Sequence, residues 1–394
     1  MRPDLAFVMT GGGARAAYQV GVLRYIASTH PDLGPAVLAG ASAGAINAAE
    51  IASTPGTFAD GVARSIEIWR RLRVEDVFRV DAVSLVSQPL RWGLGRAVGA
   101  PLGLAPRAGR AESILDTTPL RNLLFATLNA SPDGTLRHIT DQIEAGAIHA
   151  VALTASRYAT GRSVTWVQDA DGCRMMTRER PRGTTATGPL TVNHIMASAA
   201  LPVVFPPVNV AGAWYGDGTI RLTAPLSPAI HLGARRVIAI STCYDRYGDD
   251  RRALATNVDS PPDVAGMLLE AIFLDVLDAD ARNLRRVNAL VDTLPAYARG
   301  GLRHVDLLVL RPSQDLGDLA RPFEPSLPRA LRVLLRTIGG RGGNFADSLS
   351  LLMFQPEYVA RLIELGEADA RARAGEIEAF VRTAPALRPI ARCA

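Results

Sequence analysis

Val37-Leu38-Ala39-Gly40-Ala41-Ser42-Ala43-Gly44-Ala45-Ile46-Asn47-Ala48-Ala49 reads as a short buried strand, a sharp turn at a serine, and an Ala-rich helix that continues to Ser53. The turn matches G-x-S-x-G, the string in which a serine hydroxyl is held at the tip of a strand-to-helix elbow. Gly40 and Gly44 allow backbone approach where a Cβ would clash. The start of the helix sets free N–H groups and the positive end of its dipole beside the hydroxyl, which favours a developing anion. The same string also permits a plainer role, with Ser42 as the N-cap of the helix.

The rhythm around this unit is repeated. Leu5–Thr10 is an apolar run that ends in Gly11-Gly12-Gly13-Ala14-Arg15, and Tyr18–Thr29 then carries Val20, Leu23 and Ile26 at helical spacing. Further apolar runs lie at His149–Ala155, Ser163–Gln168, Val203–Val210, Arg236–Ser241 and Val305–Leu310. Strands alternating with helices predict an α/β fold whose parallel or mixed sheet is covered on both faces. Two stretches break the pattern. Gln88–Arg110 is rich in Gly, Pro, Leu and Arg without a period, and reads as a long loop or cap over a site. Asp263–Val291 has the spacing of a long amphipathic helix. Beyond Arg311 the chain turns helical, with Leu331–Ile338, Phe345–Phe354 and Pro356–Val381. The expected organisation is a catalytic domain over residues 1–312 and a helical extension over 313–394.

Composition removes several chemistries. Of 394 residues 48% are hydrophobic, enough for a sizeable core. All 43 basic residues are arginine. With no lysine there is no Schiff-base lysine, no Ser-Lys dyad and no phosphate-loop lysine. The net charge of +5 comes without a basic arm or an Arg-aromatic run, so nucleic acid is not an expected partner. A basic surface suits an anionic phospholipid membrane instead. The three cysteines, Cys173, Cys243 and Cys393, form neither a zinc pattern nor a disulfide framework. No run of about 18 apolar residues occurs and Leu5–Met9 is too short for a signal-peptide core, so the expected location is cytoplasmic or peripheral to a membrane. No metal and no organic cofactor is expected.

Two readings compete for the glycine turn. Gly11-x-Gly13-x-x-Ala16 fits a dinucleotide fingerprint, but that use calls for an acid at the end of the second strand, where Gly40-Ala41-Ser42 stands. The other reading makes the N–H groups of Gly11, Gly12 and Gly13 an oxyanion hole facing Ser42 on the neighbouring strand end, with Arg15 adding charge near the oxyanion or a substrate phosphate. Arg15 can alternatively sit in a structural ion pair.

A serine nucleophile needs a base. Of the six histidines, His30, His138, His149, His231 and His304 lie in no catalytic setting, and His194 has the spacing of a helix start. Asp217, between Gly216 and Gly218, is the other candidate, since a partly desolvated carboxylate can act as a base. An Asp-Gly pair is equally at home in a hairpin turn.

Taken together and in order, Gly11-Gly12-Gly13-Ala14-Arg15, Gly40-Ala41-Ser42-Ala43-Gly44, Ala197-Ser198-Ala199-Ala200-Leu201-Pro202-Val203-Val204-Phe205-Pro206-Pro207 and Asp217-Gly218 resemble the patatin-like phospholipase family, over roughly residues 5–312. The resemblance implies a three-layer α/β/α fold and a Ser-Asp dyad without histidine that hydrolyses fatty acyl esters of phospholipids or other lipids. It implies Ser42 as nucleophile, Asp217 as general base, Gly11–Gly13 as the oxyanion hole and Arg15 as the family's basic position. The chain departs from the family where Asp217-Gly218-Thr219 replaces Asp-Gly-Gly or Asp-Gly-Ala, and where Thr223 replaces an asparagine. The expected function is a lipid acyl hydrolase with a lipid substrate and peripheral membrane contact. Acyl transfer to an alcohol, nucleotide binding, and silent lipid binding are the alternatives.

Overall fold

A computed structural model describes residues 4–80, 115–170, 177–180, 183–202, 204–244, 276–338 and 343–382. The expected cap at Gln88–Arg110 lies outside these residues. So does the first half of the expected helix at Asp263–Val291, whose described part is helical over Val276–Thr293.

The strands are β1 (Leu5–Met9), β2 (Val37–Ala41), β3 (Arg79–Val80), β4 (Leu115–Asp116), β5 (Ala150–Arg157), β6 (Arg162–Asp169), β7 (Thr177–Arg180), β8 (Gly183–Thr187), β9 (Val208–Val210), β10 (Ala213–Gly216), β11 (Arg236–Ile240) and β12 (Asp306–Leu310). The main sheet runs β12-β11-β1-β2-β5-β6-β8-β7. Its centre is parallel, with Phe7 opposite Leu38 and Ile238, and Leu38 opposite Val151. From β5 outward it becomes mixed, because β6 pairs with β5 antiparallel. β3 and β4 form a separate two-stranded ribbon. All residues of β1, β2 and β11 are buried, as a sheet covered on both faces requires.

Alternation along the strands sorts side chains into two cores. Phe7, Met9, Leu38, Val151, Ile238 and Ile240 face one cluster; Ala6, Val8, Val37, Ala39, Val237 and Ala239 face the other. The first core is covered by α1 (Ala17–Thr29), α2 (Ala43–Ser53), α3 (Phe58–Arg71) and the C-terminal helices. The second is covered by helices Ser227–His231 and Val276–Thr293, through Ala229, Leu277, Ala281 and Leu284. The result is the three-layer α/β/α arrangement with a mostly parallel sheet, followed by C-terminal helices.

Those helices are part of the first core. Leu349, Tyr358, Leu362, Ile363 and Ile377 are fully buried in it. Helix Pro356–Ala372 crosses α1 with backbone on backbone: a Cβ at Gly21 would lie 2.1 Å from the Ile363 carbonyl oxygen, and one at Gly366 would lie 2.2 Å from that of Tyr18. The helical run expected over Pro356–Val381 is broken at Arg373, whose guanidinium donates to the Val309 carbonyl. Of the run expected as a strand over Val203–Val210, the described residues form a strand only at Val208–Val210. Pro206 and Pro207 have no N–H to give a ladder.

Candidate active site

β1 and β2 are neighbours, with Met9 opposite Gly40, so the glycine turn and the serine turn leave the same edge of the sheet side by side. Clefts at the carboxyl ends of parallel strands are where open α/β sheets place their ligands. The local sequence makes the elbow tight. A Cβ at Gly40 would fall 2.3 Å from the Gly44 carbonyl oxygen, and one at Gly44 would fall 2.3 Å from that of Met9. Between them Ser42 takes φ 55°, a conformation that non-glycine residues adopt at a cost and that persists only where the surroundings impose it. Ser42 stands at the N-cap position of α2, yet its hydroxyl makes no cap hydrogen bond. It donates instead to Asp217 Oδ2 at 2.5 Å, across 175 residues of sequence.

The sheet register explains this meeting. β2 ends with Ala41 opposite Thr154 on β5. β6 occupies the other edge of β5 as far as Arg157. β10 therefore pairs with β5 on the β2 side, coming from the opposite direction, and ends with Gly216 opposite Ser156. Ser42 and Asp217 are the next residues of the two chains, and both arrive at the gap beside Ala155. The hairpin turn considered for Asp217 lies instead at Ala211–Gly212, between β9 and β10. Asp217 itself follows β10 and caps the short turn Gly218–Ile220.

Asp217 is fully buried and held from several sides. Its N–H donates to the Ala200 carbonyl at 2.8 Å. Its Oδ1 accepts from the Thr219 N–H at 2.9 Å and the Thr219 hydroxyl at 2.7 Å. Burial pushes its carboxyl above the usual range, while the hydrogen bonds from Ser42 and Thr219 pull the other way. The Ser42 N–H donates to Ser198 Oγ at 3.0 Å, and Ser198 Oγ donates to the Thr154 carbonyl at 2.6 Å. Ser198 and Thr219 were in view only as parts of motifs; no pattern of spacing distinguishes a bracing hydroxyl from any other.

The glycine loop lies against the serine. A Cβ at Gly11 would sit 2.8 Å from Ser42 Cβ and 2.4 Å from Thr219 Cγ2. Gly13, at φ 53°, would meet the Leu351 carbonyl oxygen at 2.2 Å. Among the described residues no hydrogen bond uses the N–H groups of Gly12 or Gly13. The Arg15 guanidinium is engaged by side chains from the C-terminal part of the chain. Its Nε donates to Ser350 Oγ at 2.6 Å and its guanidinium pairs with Asp347 at 2.7 Å, all buried. It is a structural ion pair that ties the loop to helix Gly343–Leu351.

His194 closes a capping box. The Thr191 N–H donates to its Nδ1 at 3.0 Å, and its ring packs on Trp166 at 4.5 Å. Burial pushes it down to about 4, so it is neutral at physiological pH. His138, His231 and His304 are engaged by Asp141, Ser227 and Asp292 respectively. Among the described residues no group of three His, Cys, Asp or Glu side chains could hold a metal, and no helix is long and apolar enough to cross a membrane.

Ser42 and Asp217 open onto a predominantly apolar cavity of about 790 Å3, counting the part continuous with solvent. Its walls come from α2, α3 and helix Thr118–Thr127, with Ile46, Trp69, Leu120 and Leu124 among them. Glu50, Ser65 and Thr127 also line it. Sequence reading passed over them because Glu50 is one polar residue in an Ala-rich helix. The available signal was the four-residue spacing of Ser42, Ile46 and Glu50, which puts all three on one helix face.

Comparison with known proteins finds the patatin-like phospholipase family model matching residues 7–230. No curated protein sequence matches the chain. Among solved structures the chain is similar to VipD from Legionella pneumophila, at 12% identity and a TM-score of 0.39, over 96% of this chain and 67% of that one. It is similar to human GIVD cytosolic phospholipase A2 in complex with methyl gamma-linolenyl fluorophosphonate, at 12% identity and a TM-score of 0.47, over 97% of this chain and 59% of that one. It is also similar to the ExoU–SpcU complex from the type III secretion system of Pseudomonas aeruginosa, at 16% identity and a TM-score of 0.28, over 97% of this chain and 57% of that one. The chain thus spans between about half and two thirds of the length of these structures.

Proposed function

The chain belongs to the patatin-like phospholipase family, and from that premise we propose that it is a lipid acyl hydrolase in which Ser42 is the nucleophile and Asp217 its general base. The observation that carries this reading is the 2.5 Å hydrogen bond between Ser42 Oγ and the buried Asp217 carboxylate, at the mouth of an apolar cavity and beside the glycine loop.

An ester enters with its acyl chain in the cavity. Ser42 Oγ attacks the carbonyl carbon while its proton passes to Asp217 Oδ2, which burial has made a better base than an exposed aspartate. The carbonyl oxygen becomes an oxyanion, for which the N–H groups of the Gly11–Gly13 loop are the donors at hand. Collapse of the tetrahedral species expels the alcohol, which takes the proton from Asp217 and leaves an acyl-Ser42 ester. Water then gives a proton to Asp217 and attacks the acyl carbon. A second collapse releases the fatty acid, and Ser42 Oγ recovers its proton. Thr219 keeps Asp217 oriented and favours its ionised form between proton transfers. Neither a metal nor a histidine enters any step.

Labelling with an alkyl fluorophosphonate tests the reading. A single adduct on the Ser42 peptide, abolished in Asp217→Asn, together with release of fatty acid from phospholipid vesicles, is the expected result. Full labelling of Ser42→Ala at another serine would overturn it.

A further inference from the structure

Besides Ser42 and Asp217, the cavity lining holds one further carboxylate, Glu50, and two further hydroxyls, Ser65 and Thr127. Ile46 and Glu50 follow the N-cap Ser42 along one face of α2, and the eight steps from Ser42 to Glu50 correspond to an axial span of about 12 Å. Glu50 is 4% exposed and Ser65, contributed by α3, is 1% exposed. Thr127 donates its hydroxyl to Glu50 Oε1. Among the described residues Glu50 Oε2 and Ser65 Oγ have no hydrogen-bond partner. Buried polar atoms are paired in the great majority of cases, and leaving them against hydrocarbon is costly.

We propose that Glu50, Ser65 and Thr127 form a polar subsite at the end of the acyl cavity, which selects acyl chains bearing a hydroxyl near their far end. The proposal rests on the reading of Ser42 as the residue that receives the acyl group. A hydroxyl offers one donor and two acceptor lone pairs. Its donor matches the open acceptor at Glu50 Oε2, and its lone pairs match the open donor at the Ser65 hydroxyl. A methyl terminus pairs neither. A site built to hydrogen-bond a substrate hydroxyl discriminates strongly against the analogue that lacks it. The span from Ser42 to Glu50 suits an extended chain of roughly ten carbons. Burial pushes the Glu50 carboxyl up to about 7, so near neutrality it is available both as an ionised acceptor and as an acid donor.

The test compares decanoic acid with 10-hydroxydecanoic acid as ligands of the full chain by calorimetry, and their 4-nitrophenyl esters as substrates. The hydroxylated acid is expected to bind at least about tenfold more tightly, and its ester to have the higher kcat/KM by a similar factor. Glu50→Leu brings both ratios to one or below, and Ser65→Ala lowers them. Equal affinity for the two acids in the wild type, or a preference that Glu50→Leu leaves in place, overturns the subsite. If Glu50→Leu does not fold, Ser65→Ala decides, and an unchanged ratio there overturns it. Failure of the hydrolase reading looks different: neither ester is cleaved, while the hydroxylated acid still binds more tightly in a Glu50-dependent way. Cleavage of both esters with equal efficiency and equal affinity for both acids removes the subsite and leaves the hydrolase.

Discussion

Gly218 rests on the carbonyl oxygen of Thr154, where a Cβ would fall 2.0 Å from that atom. The same oxygen accepts the Ser198 hydroxyl, which in turn holds the Ser42 N–H. One acceptor on β5 thereby braces both the loop that carries Asp217 and the elbow that carries Ser42. Gly218→Ala is expected to displace Asp217 and lower kcat/KM by about a hundredfold, as small misplacements of reacting groups do. Ser198→Ala should cost less. Ester turnover at wild-type rate in a folded Gly218→Ala protein would sink the bracing argument.

Ser42→Ala and Asp217→Asn should each reduce ester hydrolysis by about a thousandfold or more, since the members of such a unit fail singly about as badly as together. His194→Ala should keep the chemistry and lose about 1 kcal/mol of stability with its helix cap. Steady-state rates and denaturant melts on the same samples separate the two effects. A folded His194→Ala protein without activity would restore a triad.

Thr219 supplies two of the hydrogen bonds that favour the charged form of Asp217. Thr219→Val removes the hydroxyl bond and keeps the backbone one. Asp217 must be ionised to accept a proton, and losing a donor raises its pKa further. The acid limb of the pH–rate profile is therefore expected to move to higher pH, while the alkaline side stays. An unmoved acid limb would mean that Thr219 does not tune the base.

Glu50 makes stability depend on pH. Its carboxyl is raised in the folded state from 4.5 to about 7, by burial against the opposing pull of the Thr127 hydroxyl and the Arg64 charge. Between those values the folded chain holds a proton that the unfolded chain has lost. The contribution is complete below pH 4.5 and disappears as pH rises through about 7. The difference is on the order of 3 kcal/mol. Glu50→Gln, which cannot ionise, should flatten that part of the curve when denaturant midpoints at pH 5 and pH 8 are compared. Equal pH dependence in the two proteins would contradict it.

The buried Arg15–Asp347 pair joins the first glycine loop to a helix 332 residues away. Removing one partner strands a charge in the core, so Asp347→Ala is expected to cost about 3–5 kcal/mol. A chain ended at Pro312 should fail to fold for the same reason, with the α1 face that receives Gly366 left bare. A cooperative melt of that fragment would show the C-terminal helices to be an accessory.

What could be read from the amino acids alone was whatever is local. The elbow at Ser42 is legible because strand, turn and helix follow one another within residues 37–53, and each is stated by its own residues. The cap made by His194 is legible for the same reason. The partner of Arg15 was not, because it is supplied by a helix from the other end of the chain. Glu50 escaped notice because its burial is imposed by α3 and helix Thr118–Thr127, while its own helix reads as merely small and apolar. Asp217 sits between. Its flanking glycines drew attention, but the head-on approach of β10 toward β2 along β5 is a matter of register, on which no single residue of β10 reports.

The seating of the glycine loop has a consequence for how the molecule is made. Gly13 lies on the Leu351 carbonyl, Arg15 needs Asp347 and Ser350, and α1 needs Gly366 to close against it. Chains emerge from the ribosome N-terminal end first, at about 5–20 residues per second. Ser42 and Asp217 are therefore both in solution many seconds before the loop beside them has anything to rest on. On the proposed reading, a partly made chain cannot settle the glycine loop beside Ser42, so the order of synthesis itself works as a delay on the first turnover.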